Sequence, residues 1–125
     1  MAVPLIFVGT HAIKPGMLDP DKEASRDLVE YVESNHPRIR HFEINIDDDA
    51  HEMTVIQIHP DEDSLLQHIQ VAGEKIRAAY EFLEGTTKIE IYGTPSPTVI
   101  DVVNQMSMGA LVRFNRAEAR FSRVD

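Results

Sequence analysis

Six histidines and no cysteine set the chemistry open to this chain. Thiolate nucleophiles, disulfides and cysteine-held zinc are excluded, which leaves imidazoles, carboxylates and hydroxyls. His68 stands out among them. It falls one place before Ile69 and one turn before Ala72, in a segment whose apolar residues recur at helical spacing. That phase sets it at the flank of a buried helical stripe. An imidazole there can take a proton or donate a hydrogen bond to a developing oxyanion. Tyr80, with Tyr31, Phe82 and Tyr92, can wall an apolar pocket with hydroxyls at its edge, although aromatics at such spacing also serve simply as core.

A second group is more scattered. His41, Glu43, Asn45, Gln57 and His59 recur at period two on consecutive strand-like segments, so they are expected on one sheet face. Two histidines and a glutamate form a legal ligand set for zinc or iron. No close ligand motif accompanies them, and a polar network between subunits is the expected reading, with no metal. The runs Asp47 to Glu52 and His59 to Asp63 read as solvated turns, and the first lacks the length and closing glutamate of a calcium loop. There is no Gly-x-Ser-x-Gly elbow, and the glycines form no phosphate-binding pattern, so neither covalent catalysis nor a nucleotide cofactor is supported.

The elements that must position these residues follow from patterning. Val3 to Ile13 is apolar on both alternating faces, as a central strand is. Asp21 to Ser34 has helical spacing, with Asp19 as its expected N-cap ahead of Pro20, and Pro37 stops it. Arg38 to Asp47 and Glu52 to His59 alternate around an acidic turn and read as a hairpin. Asp63 to Leu83 is a long amphipathic helix with Gly85 as its expected stop, and Thr86 to Tyr92 alternates again. The order is βαββαβ, the split-βαβ, ferredoxin-like α+β topology. Beyond a Pro-rich break, Thr98 to Met108 reads as a short helix. The last stretch reads as an arm, whose four arginines against Glu118 and Asp125 make it basic. Residues 1–94 are thus expected to form the ferredoxin-like domain and 95–125 to extend it.

Length and charge narrow the partners. A chain of 125 residues with 42% hydrophobic content forms one domain with a modest core. A net charge of −9 argues against a nucleic-acid backbone as partner. The apolar run near the N-terminus is too short for a membrane span and lacks a basic leader, so a soluble, cytoplasmic protein is expected. A small sheet covered by helices on one side leaves its other face bare, and a second copy of the chain is the expected cover.

In the order of these elements, the hairpin FEINIDDDAHEMTVIQIHPD and the helix start DSLLQHIQVAGEKI, the chain resembles the dimeric α+β barrel superfamily, nearest to the antibiotic biosynthesis monooxygenase-like family. The resemblance covers about residues 3–93. It implies a homodimer whose sheets close into a barrel, with a small-molecule cavity between sheet and helices in each subunit. His68 sits where many relatives carry a histidine one turn into the second helix. The haem-degrading branch relies on Asn, Trp and His together. This chain has no tryptophan and no asparagine on its first strand, which disfavours that chemistry. For the other branch the resemblance implies oxidation of a small aromatic or quinol-type molecule by oxygen without a cofactor, with His68 as the expected catalytic residue and Asn45, Tyr80 and Tyr92 as the expected substrate-binding ones. The alternative is a non-catalytic, ligand-binding or stress-related dimer.

Overall fold

The computed structural model describes residues 4–123. Strand β1 (Leu5–Ile13) leads to helix α1 (Leu18–Asn35), strands β2 (His41–Asp47) and β3 (Glu52–His59), and helix α2 (Glu62–Ala79). A 3₁₀ turn (Tyr80–Phe82) joins α2 to strand β4 (Leu83–Tyr92), which is followed by helix α3 (Pro97–Met106) and strand β5 (Leu111–Asn115). The sheet order is β2-β3-β1-β4-β5. All neighbours are antiparallel except β4 and β5, which run parallel across the α3 crossover. The expected α+β, ferredoxin-like core is therefore present, with β1 at its centre.

The C-terminal stretch departs from expectation. Its first part is a strand, because Val112 and Phe114 alternate with Leu111, Arg113 and Asn115 and so suit a sheet with one dry face. Helix α3 returns the chain so that this strand can pair. Ser96 caps α3 ahead of Pro97, and Glu62 of α2 accepts from both its backbone N–H (3.0 Å) and its hydroxyl (2.5 Å). Val99 and Val103 of α3 then join Leu5, Phe7, Leu65, Ile89 and Ile91 in one buried cluster. No regular element follows Asn115 among the described residues. The expected strand residue Val3 lies outside them.

Two helix ends also differ. Helix α1 begins at Leu18 without a side-chain cap, so Asp19 and Pro20 already lie in its first turn, where proline removes no needed donor. The second helix yields to the 3₁₀ turn before Gly85, which belongs to β4 with φ at +154°. Glycine suits that position because L side chains rarely adopt it.

The strand register decides which residues share a face. Across β2 and β3, His41 opposes Ile58, Glu43 opposes Ile56 and Asn45 opposes Thr54, while Phe42 opposes Gln57. Directly opposed residues point to the same side. His41, Glu43 and Asn45 therefore lie on the helix-free face, and Gln57 and His59 on the helix-covered one. The single polar face expected from sequence is in fact split between the two sides. On the helix-free face, Ile6, Val8, Ile56 and Ile58 form a half-buried stripe. It is flanked by His41-Glu43-Asn45 on β2 and Lys88-Glu90-Tyr92 on β4.

Candidate functional site: a histidine-walled cavity under the helices

Ser64, Leu65, His68 and Ala72 are the buried residues of α2, a spacing that turns one helix face to the sheet. Asp61 starts the helix by accepting from the Ser64 N–H at 2.9 Å, and Arg38 pairs with the same carboxylate. Burial tends to raise the Asp61 pKa, but the Ser64 and Arg38 hydrogen bonds outweigh it and hold the carboxyl below its ordinary range. The run His59 to Asp63, expected as a solvated turn, thus begins with a fully buried histidine, holds the helix cap at Asp61 and ends in the first turn of α2.

Ser64 organises two more imidazoles. The Ile39 N–H donates to His36 Nδ1 at 3.1 Å, which leaves His36 Nε2 to donate to the Ser64 carbonyl at 3.0 Å. His59 Nε2 donates to Gln57 Oε1 at 2.8 Å, and its Nδ1 takes the Ser64 hydroxyl at 2.8 Å. Burial, reinforced by the neighbouring imidazoles His68 and His36, pushes the His59 pKa down to about 3. His36 and His59 are thereby saturated.

His68 is different. Its ring packs 5.4 Å from those of His36 and Phe42 and 5.8 Å from that of His59, centroid to centroid. Both ring nitrogens are buried, yet neither has a hydrogen-bond partner among the described residues. Leaving a buried polar group unmade costs about 1–3 kcal/mol. Burial first, and His36 second, lower its pKa to about 4, so the ring is neutral at pH 7.

His68 borders a cavity of about 80 Å³ between the sheet and the helices. Its walls are mostly apolar, with Phe7, Phe42, Val55 and Leu65 beside it and Ile76 and Leu83 farther along. Gln57, Tyr80, His11 and Thr86 supply the other polar groups. Gln57 Oε1 is already engaged by His59, while the Tyr80 hydroxyl makes no hydrogen bond to the described residues. His11 Nδ1 meets Thr86 Oγ1 at 3.0 Å, and its ring lies 6.2 Å from that of Tyr80. Burial lowers the His11 pKa to about 4.

Of the residues expected to act together, the structure brings His68 and Tyr80 to this cavity. Asn45 and Tyr92 are not there. Both are exposed on the opposite sheet face, where Asn45 donates to Glu43 at 2.7 Å and the Tyr92 hydroxyl donates to Glu90 at 2.7 Å. Their register partners, Thr54 and Ile6, point the same way. His41 and His59 are likewise on opposite faces. Among the described residues no three His, Asp or Glu side chains stand where they could hold a metal. Sequence reasoning passed over His11, although alternation from Leu5 through Phe7 and Gly9 places it on the cavity side.

No family model matches the chain, and no curated protein matches it in sequence. Solved structures match its fold. MupZ from Pseudomonas fluorescens superposes with a TM-score of 0.77 at 16% identity, over 96% of this chain and 94% of that one. A protein from Caulobacter crescentus CB15, proposed to be an antibiotic biosynthesis monooxygenase, superposes at 0.66 with 16% identity, over 76% and 92% of the two chains. A further antibiotic biosynthesis monooxygenase superposes at 0.62 with 18% identity, over 74% and 99%. The fold is that of the antibiotic biosynthesis monooxygenase-like, ferredoxin-like α+β proteins, and the resemblance read from sequence holds at that level. The match to MupZ necessarily includes part of the α3–β5 extension. No helix among the described residues is long and apolar enough to cross a membrane.

Proposed function

We propose that the protein is a cofactor-independent oxygenase acting on a small quinol-type aromatic, with His68 as its catalytic residue. The observation that carries this reading is an imidazole with two unpartnered nitrogens at the wall of an otherwise apolar cavity. Stability alone would favour leucine there, so the imidazole's value lies in what enters the cavity. The structural neighbours described as monooxygenases support the oxygenase class.

The chemistry balances without an external reductant. A hydroquinone and oxygen give a hydroxyquinone and water, with the substrate supplying all four electrons. His68 accepts the hydrogen bond of a phenolic hydroxyl. With its pKa near 4 it does not hold that proton in the resting complex. Transfer from a phenol lies roughly six pK units uphill, about 8 kcal/mol, before the attraction of the ion pair in a dry site offsets part of it. The proton therefore moves as the ring gives an electron to oxygen. The resulting radical pair forms the C–O bond, the peroxide takes up a proton, and the O–O bond breaks as water leaves. Tyr80, whose hydroxyl is unengaged, orients the ring.

A second copy completes the fold in this reading. The stripe Ile6, Val8, Ile56 and Ile58, rimmed by polar side chains, is the expected shape of a self-complementary interface. Two sheets meeting there close into a barrel and leave both cavities on the outside. The low basicity of His68 favours one other reading, a dimer that binds the same ligands without turning them over.

Oxygen uptake on a panel of hydroquinones decides between them. The oxygenase reading expects turnover by the wild type and a loss of about 100-fold or more in His68→Ala. Nil turnover by the wild type leaves the binding reading, and unchanged turnover in the variant removes His68 from the mechanism.

A further inference from the structure

Two features of the sheet converge on His11. On the helix-covered face of β1, Gly9 lies between Phe7 and His11. A Cβ there would stand 3.1 Å from Phe7 Cε1 and 3.3 Å from His11 Nε2. The missing side chain is what lets the imidazole lie back along the strand. In β4 the register shifts between Thr10 and His11: Thr10 pairs with Lys88 but His11 pairs with Thr86, and Thr87 is left over. Without that bulge Thr86 would share the outer face with Lys88. With it, Thr86 turns inward and its hydroxyl meets His11 Nδ1 at 3.0 Å. Gly85, at φ +154°, carries the chain on to a second shift, beyond which Ile13 pairs with Leu83.

The result is an imidazole held at one nitrogen and unengaged at the other. Nε2 makes no hydrogen bond to the described residues. His11 lines the same cavity as His68, but far along it. The His68 ring packs at a tilt against Phe42, which pairs with Gln57 and through it aligns with Phe7. His11 is four residues farther along β1, about 13 Å at strand rise. Tyr80, the ring neighbour of His11, follows His68 by twelve residues, about 18 Å at helical rise, so it too lies toward the far end of the cavity. A six-membered ring with para oxygens, plus one hydrogen bond at each end, spans about 11 Å between nitrogens.

We propose that the cavity is a two-histidine site in which His11 Nε2 binds an oxygen at the end remote from His68. The site thereby selects single-ring molecules with oxygens at both ends, the para-hydroquinone class, over monophenols. This deepens the reading of the preceding subsection and rests on its assignment of the cavity as the ligand site. The cavity volume of about 80 Å³ is well below that of a drug-sized ligand site. Thr86 is a positioning residue that acts through His11.

Binding measured without oxygen tests the assignment apart from turnover. Anaerobic calorimetry of the wild type should show 1,4-dihydroxybenzene binding about tenfold or more tightly than phenol. His11→Phe should abolish that preference, and the milder Thr86→Val should reduce it. The ¹⁵N signals of the His11 ring should move with 1,4-dihydroxybenzene and stay in place with phenol. Equal binding of the two by the wild type, no binding of either, or a preference that survives His11→Phe overturns the proposal. Should the preference appear as expected while oxygen uptake is nil, the oxygenase reading falls and the two-histidine site stands. Turnover with the preference intact in His11→Phe has the opposite meaning.

Discussion

Replacing His68 with leucine should make the protein more stable, an unusual expectation for a fully buried position. The imidazole is 1% exposed, makes no hydrogen bond to the described residues at either nitrogen, and packs against Phe42 and two other rings. Leucine fills a similar volume without an unmade polar group, which favours the variant by about 1–3 kcal/mol at pH 7. Acid should widen the gap. The His68 pKa is depressed from 6.5 to about 4 by burial and by His36. Between those values the unfolded chain carries a proton that the folded chain lacks, so stability is lost as pH falls below 6.5. At pH 5 that single group removes about 2 kcal/mol. His59, lowered to about 3 chiefly by burial, acts with the same sign, and Asp21, raised by burial, opposes both. Urea unfolding at pH 7 and pH 5 gives the answer directly. The variant should be the more stable at both and should lose about 2 kcal/mol less on acidification. If it is less stable than the wild type at pH 7, or equally acid-sensitive, then His68 has a partner that pays for its burial, and the argument for a vacant ligand contact collapses.

Two further outcomes test the framework around the site. Ile56→Lys places a charge in the middle of the half-buried stripe of the helix-free face, and if the proposed dimer forms there, sedimentation should give a dimer for the wild type and a monomer for the variant; a stable wild-type monomer would remove the barrel. Asp61→Ala removes the cap on Ser64 and the partner of Arg38 at the start of α2, and should lower stability by about 1–2 kcal/mol in thermal or urea unfolding; an unchanged midpoint would mean that Ser64 is held by His36 and His59 alone.

The core of the fold was legible because each element there agrees with its local pattern. Strand β3 was read at its observed bounds, Glu52–His59, from alternation alone. Helix α2 is legible from the spacing of its apolar residues, while its cap, Asp61, lies in the run that reads as a solvated turn. The C-terminal strand was missed for an opposite reason. Leu111 to Asn115 is short, and its pattern gains meaning only once α3 has returned it to the edge of β4. Proximity of that kind is a tertiary fact, and a five-residue window does not contain it.

The site divides along the same line, and the hairpin shows why. Asp47 and Glu52 are paired and four residues separate them, so odd-numbered residues of β2 oppose even-numbered residues of β3. One residue more or less in that turn would have aligned His41, Glu43 and Asn45 with Gln57 and His59, as pooling the polar residues by parity suggests. Asn45 was lost to the cavity by that single unit of loop length. Thr86 was gained by another, since the residue left over at Thr87 turns it inward to His11. A helix keeps its phase over many residues, so His68 could be placed from sequence. A sheet resets its phase at each turn and bulge, and a function that depends on groups from both will be half visible in the chain. The half that stayed hidden is the one held by Gly9 and Thr86, two residues that carry no acid or base of their own. Their placement against one imidazole fits the ligand proposed for His11, because an alanine at Gly9 and an unbroken β4 would have made the simpler sheet.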